Sequence, residues 1–191
     1  MEIHQSFEAL GDIETYIRRS RYAKDGVSQS RQLRYHAENY LNEAYILKSR
    51  LKAYFVRLRK SYRRTLTARQ AGVVNEMTAS VTSAFEAITI TRGKHVHERR
   101  YLDHDLQNAE SWEFIAQAIR DRKVARLASQ LARDAYKRAL MRWKKESAEN
   151  RRKIAGLLNA YFAVLYLVTF DENGDFKDPA AALPARAAPT S

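Results

Sequence analysis

A chain of 191 residues without one cysteine excludes disulfide stapling, thiolate catalysis and cysteine metal sites. Its net charge of +12, from 34 Lys and Arg against 22 Asp and Glu, points to an anionic partner, with nucleic acid first among them. Six Gly and three Pro leave few breakers, so long helices are expected. The most apolar run, Ala155 to Phe170, is 16 residues long and holds Asn159, which fits a buried helix better than a membrane span. The N-terminus shows no basic-then-apolar leader pattern. A cytoplasmic protein with no membrane partner is therefore expected.

Met1 to Tyr22 reads as a short amphipathic helix, with Phe7, Leu10, Ile13 and Ile17 at helical spacing. Lys24-Asp25-Gly26 is a turn, and Ser28 or Ser30 caps the next helix. From Arg31 to about Arg64, Leu33, Ala37, Leu41, Ala44, Leu47, Leu51, Phe55, Leu58 and Tyr62 repeat at three or four. Residues 28–64 hold ten bases and two acids, Glu38 and Glu43. Thr67 caps a second long helix with a stripe of Val73, Val74, Met77, Val81, Phe85 and Ile88. The connection between these helices is short enough to make an antiparallel hairpin.

Leu102 to Asp121 is acidic, with five acids and one base, and reads as a short lid or spacer helix packed through Trp112, Ile115 and Ile119. Arg122 to Lys153 turns basic, with twelve bases and three acids and a stripe of Val124, Leu127, Leu131, Ala135 and Ala139. A break is placed at Glu149-Asn150. The nearly all-apolar segment from Ile154 to Phe170 is expected at the centre of the core. Asp171 to Asp175 is a turn. It lacks the sixth-position Gly and twelfth-position Glu of a calcium loop. An Ala- and Pro-rich tail completes the sequence. One helical domain over residues 1–170, with its core in 30–170, and a tail over 171–191 are expected.

The residues that could carry chemistry gather in Thr91 to His104, TRGKHVHERRYLDH. His95 and His97 lie two apart, about 200 degrees around a helix, so they cannot chelate from one face. Lys94, His97, Arg100, Tyr101 and His104 can share a face instead. Histidine moves protons near neutral pH, and arginine offers phosphate a fixed fork of donors. Those two roles suffice to cleave RNA, whose 2′-hydroxyl is its own nucleophile. No metal and no cofactor is expected.

Arg92-Gly93-Lys94-His95-Val96-His97 resembles the R-x4-6-H signature of the HEPN superfamily. The resemblance implies an all-α fold: an antiparallel bundle of long helices with a four-helix core. An extra N-terminal helix and the inserted acidic segment would be additions to it. Many HEPN domains are metal-independent endoribonucleases, acting as toxins, in defence or in RNA processing, with a cleft shared across a homodimer. It implies that Arg92 polarises the scissile phosphate and that His97 is the general acid or base, with His95 the other candidate. Glu38 is the polar residue facing them. Gly93 stands where the family usually has Asn, Asp or His.

Lys94, Arg99, Arg100, Arg57, Arg59, Lys60, Arg63, Arg64, Arg142, Lys144 and Lys145 are the candidate nucleic-acid contacts. The expected partners are RNA or another polyanion, a second copy of the chain, and an acidic partner or antitoxin protein. A non-catalytic nucleic-acid-binding or protein-interaction scaffold is the alternative function.

Overall fold

The computed structural model describes residues 2–19, 27–86, 88 and 103–179. Every regular element among them is helical, as expected: α1 (Glu2–Arg19), α2 (Gln29–Ser61), α3 (Ala68–Ala84), α4 (His104–Ala118) and α5 (Arg122–Thr169). None of the described helices is long and apolar enough to cross a membrane. The chain divides into two compact units. One comprises Met1–Leu47 and Phe85–Arg152, the other Lys48–Ala84 and Lys153–Ser191.

The stripe along α2 is buried at all nine expected positions, from Leu33 to Tyr62. Each large apolar side chain taken from water in this way contributes about 2 kcal/mol before entropy is counted. Tyr40 joins the stripe, fully buried, and its hydroxyl donates to the Ser147 carbonyl at 3.2 Å. In α1 the buried positions are Ser6, Leu10, Glu14 and Ile17. Glu14 is tolerated there because Arg18 lies 2.6 Å and Arg151 3.5 Å from its oxygens.

In the first unit, α4 runs antiparallel to α2 and to α5. Ser30 pairs with Glu113 and Arg34 with Glu110, while Asp103 meets Arg142 and Trp143. The packing face of α4 departs from expectation. Leu106 and Ala109 are buried, Trp112 and Ile115 are half-buried, and Ile119 is exposed. The stripe of α5 is met at Ala135 and Ala139 but shifted before them. Ala128, Ala132, Ala135, Tyr136, Ala139 and Trp143 are buried, whereas Val124 is 40%, Leu127 58% and Leu131 37% exposed. Leucine marked the wrong edge because the helix turns its alanines toward its neighbours.

In the second unit, Tyr62 closes α2. The Leu66 N–H donates to its carbonyl at 2.9 Å, and Thr67 then opens α3. The Gln70 N–H donates to Thr67 Oγ1 at 3.2 Å, and the Thr67 N–H donates to Gln70 Oε1 at 3.0 Å, a reciprocal cap. Arg59 donates to Asn75 at 3.2 Å, so α2 and α3 form the expected hairpin. The Phe55 and Tyr161 rings meet edge to face at 4.6 Å. The expected break at Glu149-Asn150 is absent, because α5 is continuous over 48 residues. Neither residue blocks a helix, and the surrounding Ala, Arg and Lys favour one. Residues 154–169 are not all core. Ile154, Leu158, Tyr161, Val164 and Val168 are buried, but Phe162, Tyr166 and Leu167 are about half exposed or more. After α5, Asp171 Oδ1 accepts from the Asn173 and Asp175 amides at 2.9 Å, and Gly174 takes φ +84. That turn brings Phe176 back to an isolated bridge with Phe170.

Asp103 ties the start of α4 to α5. It is buried and caps α4, with Oδ1 accepting from the Asp105 amide at 3.0 Å and the Leu106 amide at 3.1 Å. The same carboxylate binds Arg142 and accepts the Trp143 indole N–H at 2.9 Å. Truncation would leave a guanidinium, an indole N–H and two amides without their acceptor. Asp103→Ala is expected to cost about 3 kcal/mol in urea unfolding. Asp103→Asn, which keeps an acceptor, should cost about half of that.

Candidate nucleic-acid interface

The run Thr91 to Leu102 lies outside the described residues, and with it Arg92, Lys94, His95, His97, Arg99 and Arg100. Its two stems are described. Phe85 and Ile88 are buried on one side, and Asp103 is buried on the other. His104 opens α4 as an exposed residue with its ring near the Asn108 amide.

Glu38 sits half-buried on α2, one position after the buried Ala37. Its Oε1 is shielded from solvent and has no hydrogen-bond partner among the described residues. A shielded carboxylate oxygen without a donor is costly, so this position favours an incoming cation or N–H. Two residues earlier, His36 stacks on Tyr16 with 5.4 Å between ring centroids and 12° between planes.

Four described acids of the first unit, Glu14, Asp103, Asp105 and Glu110, are held by arginines. Glu110 holds Arg34 at 2.7 Å. Asp105 takes Arg138 at 3.1 Å and Arg142 at 2.8 Å, and Glu14 takes Arg18 and Arg151. The acidic segment, expected as a lid or spacer, therefore supplies counter-charge to arginines of α2 and α5. Arg142, a candidate nucleic-acid contact, is committed to Asp103 and Asp105.

The other candidates stand differently. Arg57, Arg59, Lys60, Arg63 and Arg64 are exposed at the end of α2 and in the turn after it, and among the described residues Arg59 is engaged by Asn75 while the others have no ion pair. No ion pair holds Lys144, which is half-buried, or Lys145, which is exposed. Three further arginines of α5, Arg122, Arg126 and Arg133, are exposed and carry no ion pair. Their spacing of four and seven on one helix face was legible in the sequence but was overlooked beside the histidine run. Among the described residues no cluster of His, Asp and Glu could hold a metal ion. No protein-family model, curated protein or solved structure matches this chain.

Two titrations set how the first unit responds to acid. Burial pushes the His36 imidazole below its ordinary 6.5. Burial alone would raise the Asp105 carboxyl, but hydrogen bonds from Arg138 and Arg142, and their charges, outweigh it and hold the group below 3.8. Both folded values lie below the unfolded ones, so the unfolded chain binds more protons on acidification. Stability should be full above pH 6.5 and fall as His36 becomes the harder site to protonate. A second loss should follow below pH 3.8 as Asp105 resists protonation. Thermal melting across pH 8 to 3 reads both steps. His36→Gln should flatten the upper one and Asp105→Asn the lower one.

Proposed function

We propose that this chain is an RNA-binding helical domain. The observation that carries this is the sorting of charge. Glu14, Asp103, Asp105 and Glu110 are taken up by arginines, while Arg57, Lys60, Arg63, Arg64 and Lys145 stay exposed without acidic partners. Exposed cations free of counter-charge release the condensed ions of a phosphate backbone, which is the main driving force of such binding. The choice of RNA rests on the Arg92–His104 run, whose arginine and histidine chemistry suits a substrate that carries its own nucleophile.

Glu38 favours a second, more specific reading: a metal-independent endoribonuclease of HEPN type, with an antiparallel four-helix core and a cleft shared by two copies. In it Arg92 binds the scissile phosphate, His97 or His95 transfers the proton, and the unpartnered Glu38 oxygen orients one of them. A cytoplasmic role in defence, held in check by an acidic antitoxin protein, belongs to this reading.

The binding reading predicts strongly salt-dependent association with single-stranded RNA. Replacing Arg57, Lys60, Arg63 and Arg64 together by Gln should weaken it and lower the salt slope by about 0.7 for each phosphate that is no longer neutralised. Fluorescence anisotropy at several salt concentrations measures this; an unchanged slope counts against this face. The cleavage reading predicts that labelled RNA is cut in the presence of EDTA while the matching DNA is not. His97→Ala should abolish cleavage with RNA binding retained, and Glu38→Gln should slow it about tenfold or more. Cleavage of DNA at a similar rate rules out the 2′-hydroxyl mechanism.

A further inference from the structure

The amino-terminal third of α5 and the facing parts of α2 and α4 enclose a feature that the charge sorting does not use. Ala116 and Gln117 of α4, Gln29 of α2 and Ala132 and Tyr136 of α5 line a cavity of about 260 Å³. It adjoins a depression of about 390 Å³ whose rim carries Arg122 and Arg126, and Ser129 and Arg133 line both. All these residues belong to the first unit.

The two ends differ in chemistry. At the outer end, Arg122, Arg126 and Arg133 project from one face of the helix over about 16 Å, with no ion pair to neutralise them. The helix N-terminus itself is taken. Asp121 Oδ1 accepts from the Lys123 amide at 2.7 Å and the Val124 amide at 3.3 Å. An anion here would therefore be held by guanidinium groups and not by the end of the helix.

The inner end is different. Its wall carries the Gln117 amide, the Tyr136 ring and the Glu113 carboxylate, one oxygen of which already accepts from Ser30. A carboxylate repels phosphate but accepts from an amino group. Amides both donate and accept in one plane. The inner end thus matches the edge of a nucleobase, and its volume matches a small, flat group.

We propose that this cavity and its arginine rim form a subsite for one unpaired nucleotide of a bound RNA strand. The base enters between α2, α4 and α5, and its phosphate lies on Arg122, Arg126 and Arg133. Unpaired bases are read in this way, by their edges and by stacking, whereas a base-paired strand offers a protein its backbone and shape. The proposal rests on the RNA-binding reading and deepens it. It adds a preference for single strands and assigns the residues that create it.

The test uses the full chain with a labelled ten-nucleotide single-stranded RNA and a duplex of the same length. Single-stranded RNA should bind at least fivefold more tightly, and adenosine 5′-monophosphate should displace it where inorganic phosphate at the same concentration does not. Ala116→Phe fills the cavity from α4 and should erase most of the single-strand preference. Arg126→Gln with Arg133→Gln, at exposed positions that leave the packing alone, should weaken single-stranded RNA about tenfold and abolish competition by the nucleotide. Melting curves of the variants establish that they fold. Equal binding of both RNAs, an unchanged preference in folded Ala116→Phe, or equal competition by inorganic phosphate overturns the subsite and leaves RNA binding standing. Failure of the unaltered chain to bind either RNA at low salt overturns the subsite and the RNA-binding reading together.

Discussion

The carboxylate of Asp103 is the constraint on which the first unit depends. A charge this deeply buried costs several kcal/mol in lost hydration, and only several good donors can offset it. Asp103 has them from two helices: the Asp105 and Leu106 amides that it caps, and the Arg142 guanidinium and Trp143 indole across α5. One side chain therefore starts α4, fixes its register against α5 and neutralises an arginine. It also lies near the end of the histidine run, directly before His104. With Phe85 and Ile88 buried at the other stem, both approaches to the run are tied to packed structure. A site that must hold arginine and histidine in register needs stems of this kind.

From that anchor the distribution of charge follows. Once Asp103 draws the amino end of α4 onto α5, Asp105 comes within reach of Arg138 and Arg142, and Glu110 and Glu113 face Arg34 and Ser30. The acidic segment is then used up holding helices together. The bases in excess are left on the outside. Arg122, Arg126 and Arg133, exposed and without an ion pair among the described residues, therefore stand apart from the arginines that the acidic segment neutralises. This is more informative about a polyanion partner than the total charge, since an even mixture of paired charges would give little field.

The long helix α2 was legible in the sequence because its stripe combines large residues with a strict three-four spacing, so size and period agree at every turn. The first half of α5 was misread because there they disagree. Its large residues, Val124, Leu127 and Leu131, lie on one edge, and its small ones, Ala128, Ala132, Ala135 and Ala139, face the neighbours. Hydrophobicity ranks leucine over alanine, but the fold here selects for close approach. The Glu149-Asn150 break failed for a related reason: polar residues are compatible with a helix that keeps one narrow stripe buried. Of the candidate interface, the exposure of Arg57, Arg59, Lys60, Arg63 and Arg64 could be read from their places off the buried stripe of α2. The loss of Arg142 to Asp103 and Asp105 could not, because those partners lie 39 and 37 residues away in the chain.

The alanine face that misled the reading of α5 has a structural consequence. Where alanine and serine face one another across helices, backbones approach closely in some places and leave unfilled volume in others, since no side chain is long enough to fill both. Ala116, Ser129 and Ala132 are small residues of α4 and α5 that line the cavity. A leucine at position 132 would close it and restore the ordinary periodic stripe. The arginines at its rim follow from the same rotation. Turning the alanines inward carries Leu127 and Leu131 to one flank and Arg122, Arg126 and Arg133 to the other, on average about 140 degrees apart around the helix. The cavity and its cationic edge are therefore one feature, produced by the choice of small residues along a single face of α5.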